Sequence, residues 1–162
     1  MFSNKASIRL ADLNDVARDT IALSTDELRR RGALLQTDLA DDLPSVSVDR
    51  VQLQQVILNL LLNGADAIAG IDDRPKQLLV RTGLHDGSVR LAVQDSGIGF
   101  APQDVERLFE AFYTTKPQGM GVGLSISRSI IENHNGRLWA EGNQGPGATF
   151  SFSIPAASRD RS

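Results

Sequence analysis

Three short patterns in this chain carry residue types that could do chemistry. The first is a polar row inside an apolar stretch. Gln55, Asn59 and Asn63 recur every fourth residue, and Gln52, Asn59 and Asp66 every seventh. On a helix these spacings place all of them on one face. Amides buried against a core are costly unless paired, so the row either lines a polar cleft or faces solvent or a neighbouring loop. In a cleft, an amide oxygen is a hard neutral ligand that suits Mg²⁺ when phosphates supply the other positions.

The second pattern, Asp95-Ser96-Gly97-Ile98-Gly99, follows the strand-like run Val89 to Gln94. An ionised carboxylate only accepts hydrogen bonds. It would therefore suit the exocyclic amine of adenine and repel the carbonyl of guanine. The glycines would let backbone approach a flat base, although such a pentad alone is also an ordinary turn pattern. The third pattern, Gly119-Met120-Gly121-Val122-Gly123-Leu124-Ser125, precedes a predicted helix. The free N–H groups and dipole of a helix start attract anions. It is neither a dinucleotide fingerprint nor a Walker loop, because no G-x-G-x-x-G series starts at Gly119 or Gly121 and no Gly-Lys-Ser/Thr follows. Upstream, Phe109 to Pro117 includes Lys116, which a glycine-bounded lid could carry onto phosphates. Taken alone, Lys116 reads more readily as a solvated loop lysine.

The elements that must position these patterns follow from periodicity and punctuation. Ser7 to Leu10 reads as a strand, and Asp12 or Asn14 caps a helix to about Arg31, with Gly32 as its stop. Leu34 to Leu39 is a strand and Val46 to Val48 a short extended piece. Asp49 caps a helix from Arg50 to about Ala69. Strands Leu78 to Leu84 and Ser88 to Gln94 flank an Asp86-Gly87 hairpin turn. A short helix around Asp104 to Phe109, a helix from Leu124 to Asn133, and strands Arg137 to Glu141 and Thr149 to Ile154 complete the chain. The pattern predicts helices layered on one face of a largely antiparallel sheet. Residues 1–6 and 156–162 are expected to fray, leaving 7–155 as the folded domain.

Composition narrows the function classes. The chain has 162 residues, 41% hydrophobic and 23% charged, which suits one compact domain. With no cysteine there is no disulfide, thiolate metal site or cysteine nucleophile. Two distant histidines, His85 and His134, argue against a histidine zinc centre. The net charge of −3 and a single dense basic run, Arg29 to Arg31, predict no nucleic-acid partner. The longest apolar run, Val56 to Leu62, is broken by Asn59 and falls short of the ~20 residues of a membrane helix. No charged-then-apolar leader opens the sequence. A cytoplasmic domain without membrane contact is expected, monomeric when isolated, with membrane attachment of a longer protein left open.

Taken in order, the patterns resemble the catalytic and ATP-binding domain of bacterial sensor histidine kinases, within the superfamily of gyrase, mismatch-repair and chaperone ATPases. Gln55 to Ala67 looks like the family's N box and Asp95 to Gly99 like its first glycine box. Phe109 to Phe112 looks like its F box and Gly119 to Leu124 like its second glycine box. The resemblance spans about Ser7 to Pro155. It implies an α+β fold, a two-layer α/β sandwich with a mixed, mainly antiparallel sheet of about five strands covered by three helices (the Bergerat type).

It further implies that ATP and Mg²⁺ are held between the long helix and a lid from about Thr114 to Met120. Asn63 would hold Mg²⁺, and Asn59, with Lys116, would lie near the phosphates as catalytic groups. Asp95 would bind adenine, with Gly97, Ile98 and Gly99 shaping its pocket and Thr149 backing it, and Asp66 and Ala67 would also bind the nucleotide. Gly119, Gly121, Val122, Gly123 and Leu124 would meet the phosphates. Many family members carry a basic residue where this chain has Asp66, so at that phosphate contact the chain departs from the family pattern.

The resemblance implies a kinase module that offers the γ-phosphoryl to a histidine on a dimerisation domain, with a response regulator downstream. An ATP-hydrolysing clamp of the same superfamily would need a glutamate where Asn59 stands, and Asn59 cannot take a proton. The same patterns would also serve a stand-alone serine kinase of the anti-sigma type or a nucleotide-binding pseudo-enzyme. Neither histidine fits the phosphoacceptor pattern of a helical histidine followed by an acid and then a proline. The chain opens at the domain's edge, so a longer gene product is expected.

Overall fold

Asp12 and Asp49 start the two longest helices by the same device. The Asp12 carboxylate accepts the Asn14 N–H at 2.8 Å and starts α1, Leu13–Arg30. The Asp49 carboxylate accepts the Gln52 N–H at 3.1 Å and starts α2, Arg50–Ile68. The computed structural model describes residues 7–110 and 121–157. Five strands form the main sheet: β2 (Leu34–Asp38), β4 (Gln77–His85), β5 (Ser88–Asp95), β6 (Arg137–Gly142) and β7 (Ala148–Pro155). Their order is β2-β4-β5-β7-β6, parallel between β2 and β4 and antiparallel elsewhere. A separate antiparallel pair joins β1 (Ile8–Ala11) to β3 (Val46–Asp49).

Alternation along the strands sends Val80, Leu91, Val93, Phe150 and Phe152 to the helix-covered face, where all are buried. Against them α2 buries Leu53, Val56, Ile57, Leu60, Leu61 and Ile68, each worth roughly 1.5–3 kcal/mol of apolar burial. The helix α3, Gly121–Asn133, packs on α2 and β6. The opposite face of the sheet stays polar, with Arg81 and Gln94 exposed. A buried polar knot ties α1 to the sheet: Thr82 Oγ1 donates to Asn14 Oδ1 at 2.8 Å, and Asn14 Nδ2 donates to the Ala40 carbonyl at 2.7 Å. Its members have partners, which is what makes their burial tolerable.

The expected α+β sandwich is the observed one, with local differences. The helix expected around Asp104 to Phe109 is two 3-10 turns, Pro102–Asp104 and Glu106–Phe109. α3 already includes Gly121, Val122 and Gly123, ahead of the expected Leu124, so the described end of the glycine pattern is helical. The expected fraying after Pro155 starts too early. Ala156 donates to the Gly87 carbonyl at 2.9 Å and bridges Val46, and Ala157 donates to the Ser45 carbonyl at 2.8 Å. Edge backbone of β3 and the β4–β5 turn offers these two residues partners that sequence spacing does not reveal.

Candidate nucleotide site

The inward parity of β5, set by Val89, Leu91 and Val93, carries on to Asp95, which is 2% exposed. Its Oδ1 accepts the N–H of Gly97 at 2.9 Å and that of Ala148 at 3.3 Å. Backbone donors aimed at a carboxylate offset the cost of burying it. Behind the carboxylate, Gly147 has φ +95°, and a Cβ there would stand 1.9 Å from the Asp95 carbonyl oxygen. Only glycine fits that approach.

The turn after β5 is pressed equally closely against α2. A Cβ on Gly97 would lie 2.4 Å from the Ala67 carbonyl oxygen, and Ile98 donates its N–H to that oxygen at 3.2 Å. Gly99, at φ +69°, lies beside the Gly147 carbonyl. Asp95, Gly97, Ile98, Gly99 and Ala67 therefore converge, although the Ile98 side chain is 75% exposed.

The polar row on α2 divides. Gln55 is exposed and faces solvent, whereas Asn63 is 6% exposed. Asn59 spans to α3, its Nδ2 donating to the Gly123 carbonyl at 3.3 Å and to Ser127 Oγ at 3.0 Å. That spends the amide nitrogen on α3 and turns Oδ1 away from those two acceptors. Leu124 is buried, and Gly121 and Val122 precede it within α3. Lys116 and Gly119 lie outside the described residues, as does the expected lid.

Two residues expected at the nucleotide have side-chain partners inside the protein. The Asp66 carboxylate is ion-paired with the Arg31 guanidinium at the end of α1. Arg31 is also held by Glu27 Oε2 at 2.9 Å. The Arg30 and Arg31 guanidiniums keep the Glu27 carboxyl below its usual range. Asp66 thus joins α1 to α2. Thr149 does not back Asp95 with its side chain. Because Phe150 and Phe152 point inward, Thr149 stands on the other face, where its Oγ1 donates to Asn143 Oδ1 at 2.7 Å. Its neighbour Ala148 contributes the N–H that meets Asp95.

Sequence reasoning missed two residues that hold this turn. Asn143 Nδ2 donates to the Asp95 carbonyl at 2.9 Å and to the Pro146 carbonyl at 2.9 Å. Arg74, in the segment between α2 and β4, reaches the carbonyls that follow Asp95. Neither has a periodic pattern to betray it, and the strand alternation that excludes Thr149 was the only usable signal. Neither histidine is among the residues gathered around Asp95. His85 ends β4 before a turn with positive φ at Asp86 and Gly87. His134 is buried, with Nε2 accepting the Asp49 N–H at 3.0 Å and Nδ1 2.8 Å from the Ile130 carbonyl.

Comparison with known proteins gives a consistent result. The profile of the family described as histidine kinase-, DNA gyrase B- and HSP90-like ATPases matches residues 48–158. The sensor protein FixL of Bradyrhizobium diazoefficiens is 42% identical over 149 residues, covering 92% of this chain and 29% of that protein. The catalytic domain of the histidine kinase ThkA superposes with a TM-score of 0.81 at 30% identity, covering 93% of this chain and 96% of that one. ThkA has also been solved in complex with the response regulator protein TrrA. Full-length ShkA in complex with AMPPNP superposes with a TM-score of 0.83 at 27% identity, covering 99% of this chain and 33% of that one. The chain spans less than a third of the length of FixL, at 29%.

Proposed function

Because this chain belongs to the family of histidine kinase-, DNA gyrase B- and HSP90-like ATPases, we propose that it is the phosphoryl-donor module of a two-component sensor kinase. It is homologous to the catalytic, ATP-binding domains of sensor histidine kinases. One observation carries the finer reading. Asp95, held by the N–H groups of Gly97 and Ala148, lies against the C-terminal part of α2, while Asn59 ties the same helix to the start of α3. An adenine acceptor and an anion-binding helix start thereby flank one polar helix face.

In this reading Asp95 takes the adenine amine, and Gly97 and Gly99 keep the base's edge clear of side chains. Asn59, fixed by Gly123 and Ser127, directs its amide oxygen toward the phosphate end. Among the described residues no group of three or more His, Cys, Asp or Glu could hold a metal ion. The neutral donors Asn59 and Asn63 fit an ion that takes most of its ligands from phosphate oxygens, so Asn63 would hold Mg²⁺. Bound there, Mg²⁺ would neutralise charge developing on the transferred phosphoryl. Lys116 would add a second cation to the phosphates. The protein's own contribution is positioning and electrostatics rather than covalent chemistry.

The acceptor in this reading is a histidine on a separate dimerisation domain, since His134 is buried and His85 sits at a hairpin turn. A response regulator would then take the phosphoryl group. Among the described residues no helix is long and apolar enough to cross a membrane, and we place the domain in the cytoplasm. The test mixes this chain with a dimerisation domain carrying a phosphoacceptor histidine and γ-labelled ATP. Label on that histidine supports the proposal. Steady phosphate release without any acceptor would instead support an ATP-hydrolysing clamp.

A further inference from the structure

The turn that presents Asp95 is gripped from outside by an arginine that belongs to none of the nucleotide-binding patterns. Arg74 precedes β4, and its guanidinium is used on every edge. Nε donates to the Ser96 carbonyl at 2.7 Å and Nη2 to the Gly97 carbonyl at 2.8 Å, while Nη1 is paired with Asp73 at 2.8 Å. Two donors on one edge of a planar fork meet two successive carbonyls, a match that a point-charge ammonium cannot reproduce. The serine between them is fixed as well. Ser96 Oγ donates to the Pro75 carbonyl at 2.7 Å and accepts the Gln77 N–H at 3.0 Å.

These bonds bear on the carboxylate through the backbone. Gly97 carries both the carbonyl that Arg74 grips and the N–H that Asp95 Oδ1 accepts at 2.9 Å. On its other side the Asp95 carbonyl is held by Asn143. The orientation of the carboxylate is thus set by two side chains on the open side of the sheet, lining a cleft of about 630 Å³. Arg74 is half-buried, and the Asp73 partner, 69% exposed, contributes little by itself.

We propose that Arg74 is a positioning residue for base recognition: by fixing the Ser96–Gly97 backbone it holds the Asp95 carboxylate where it discriminates adenine from guanine. This rests on the assignment of Asp95 to the base. Arg74 acts through the Ser96 and Gly97 carbonyls, so its loss loosens the acceptor without removing it. The effect falls on ATP and spares GTP, which gains nothing from a well-placed carboxylate.

The experiment measures ATP and GTP dissociation constants by calorimetric titration for the wild-type chain, Asp95→Ala, Arg74→Ala and Arg74→Lys. Arg74→Ala should weaken ATP by about five- to tenfold with GTP unchanged, so the ATP preference narrows by the same factor. Arg74→Lys, which can reach one carbonyl, should recover part of the preference. A purely structural role would lower thermal stability and leave the ratio intact, because a smaller folded fraction weakens both nucleotides by the same factor. An unchanged ATP-to-GTP ratio in both Arg74 variants, with Asp95→Ala impaired, overturns the proposal. An Asp95→Ala variant that binds ATP as wild type overturns the base assignment beneath it.

Discussion

Gly97 and Ala67 are in backbone contact across the site: a Cβ on the glycine would lie 2.4 Å from the Ala67 carbonyl oxygen, which also accepts the Ile98 N–H. Backbone cannot rotate aside as a side chain can. Gly97→Ala is therefore expected to cost about 2–3 kcal/mol through overpacking and to push the turn off α2. Gly64 offers the contrast, because its Cβ would crowd the end of the Leu78 side chain, at 2.7 Å, with Asp95 and Val93 at ordinary contact distance. Gly64→Ala should change stability by less than ~1.5 kcal/mol, since the helix-propensity gain of about 1 kcal/mol offsets some crowding. Urea unfolding of both variants checks the difference, and equal losses would contradict the close packing at Gly97.

Removing the carboxylate tests the base assignment most directly. Asp95→Ala should remove a charge-assisted hydrogen bond worth about 1.5–3 kcal/mol, roughly ten- to hundredfold in ATP affinity. The same substitution orphans the Gly97 and Ala148 N–H groups, so a loss of stability should accompany it. Titration with ATP and thermal unfolding separate the two effects.

The assignment of Asn63 to Mg²⁺ predicts a conditional defect. Asn63→Ala should weaken nucleotide binding by about tenfold when Mg²⁺ is present and very little in EDTA. Equal losses in both conditions would remove the metal role and leave a packing role for this nearly buried amide.

Asp49 provides a pH prediction remote from the nucleotide. Its carboxylate accepts the N–H groups of Ser7 and Gln52, which hold its pKa below the ordinary value. The bond from Ser7 is the largest cause. A depressed folded-state pKa means stability that is complete above the unfolded value of about 3.9 and lost as pH falls through the folded one. The stability gap between wild type and Asp49→Ala should be level from neutral pH down to about 5 and close only in more acid solution. A gap that closes near neutrality would point to another group.

The elements were legible from the sequence where one local rule dominated. Asp12 and Asp49 announce helix starts because capping is a contact between near neighbours. Asp86-Gly87 announces a hairpin because its positive φ values suit those residue types. The amide row, the Asp95 turn and the glycine-rich helix start were visible as patterns, and their order carried the family resemblance. The side-chain role of Thr149 was misread even though the neighbouring Phe150 and Phe152 alternation already sends it outward.

What the sequence determined by itself was therefore the set of parts: caps, strand parity, glycines at tight approaches, and a carboxylate at a strand end. These depend on residues a few positions apart, whose geometry the backbone fixes. Tertiary structure alone decided the long-range pairings. Asp66 answers Arg31 across 35 positions, Asn59 reaches Ser127 across 68, and Arg74 grips the turn at Gly97 across 23. A charge or amide has many chemically acceptable partners in the chain, and only packing of the helices on the sheet brings one of them within hydrogen-bond distance.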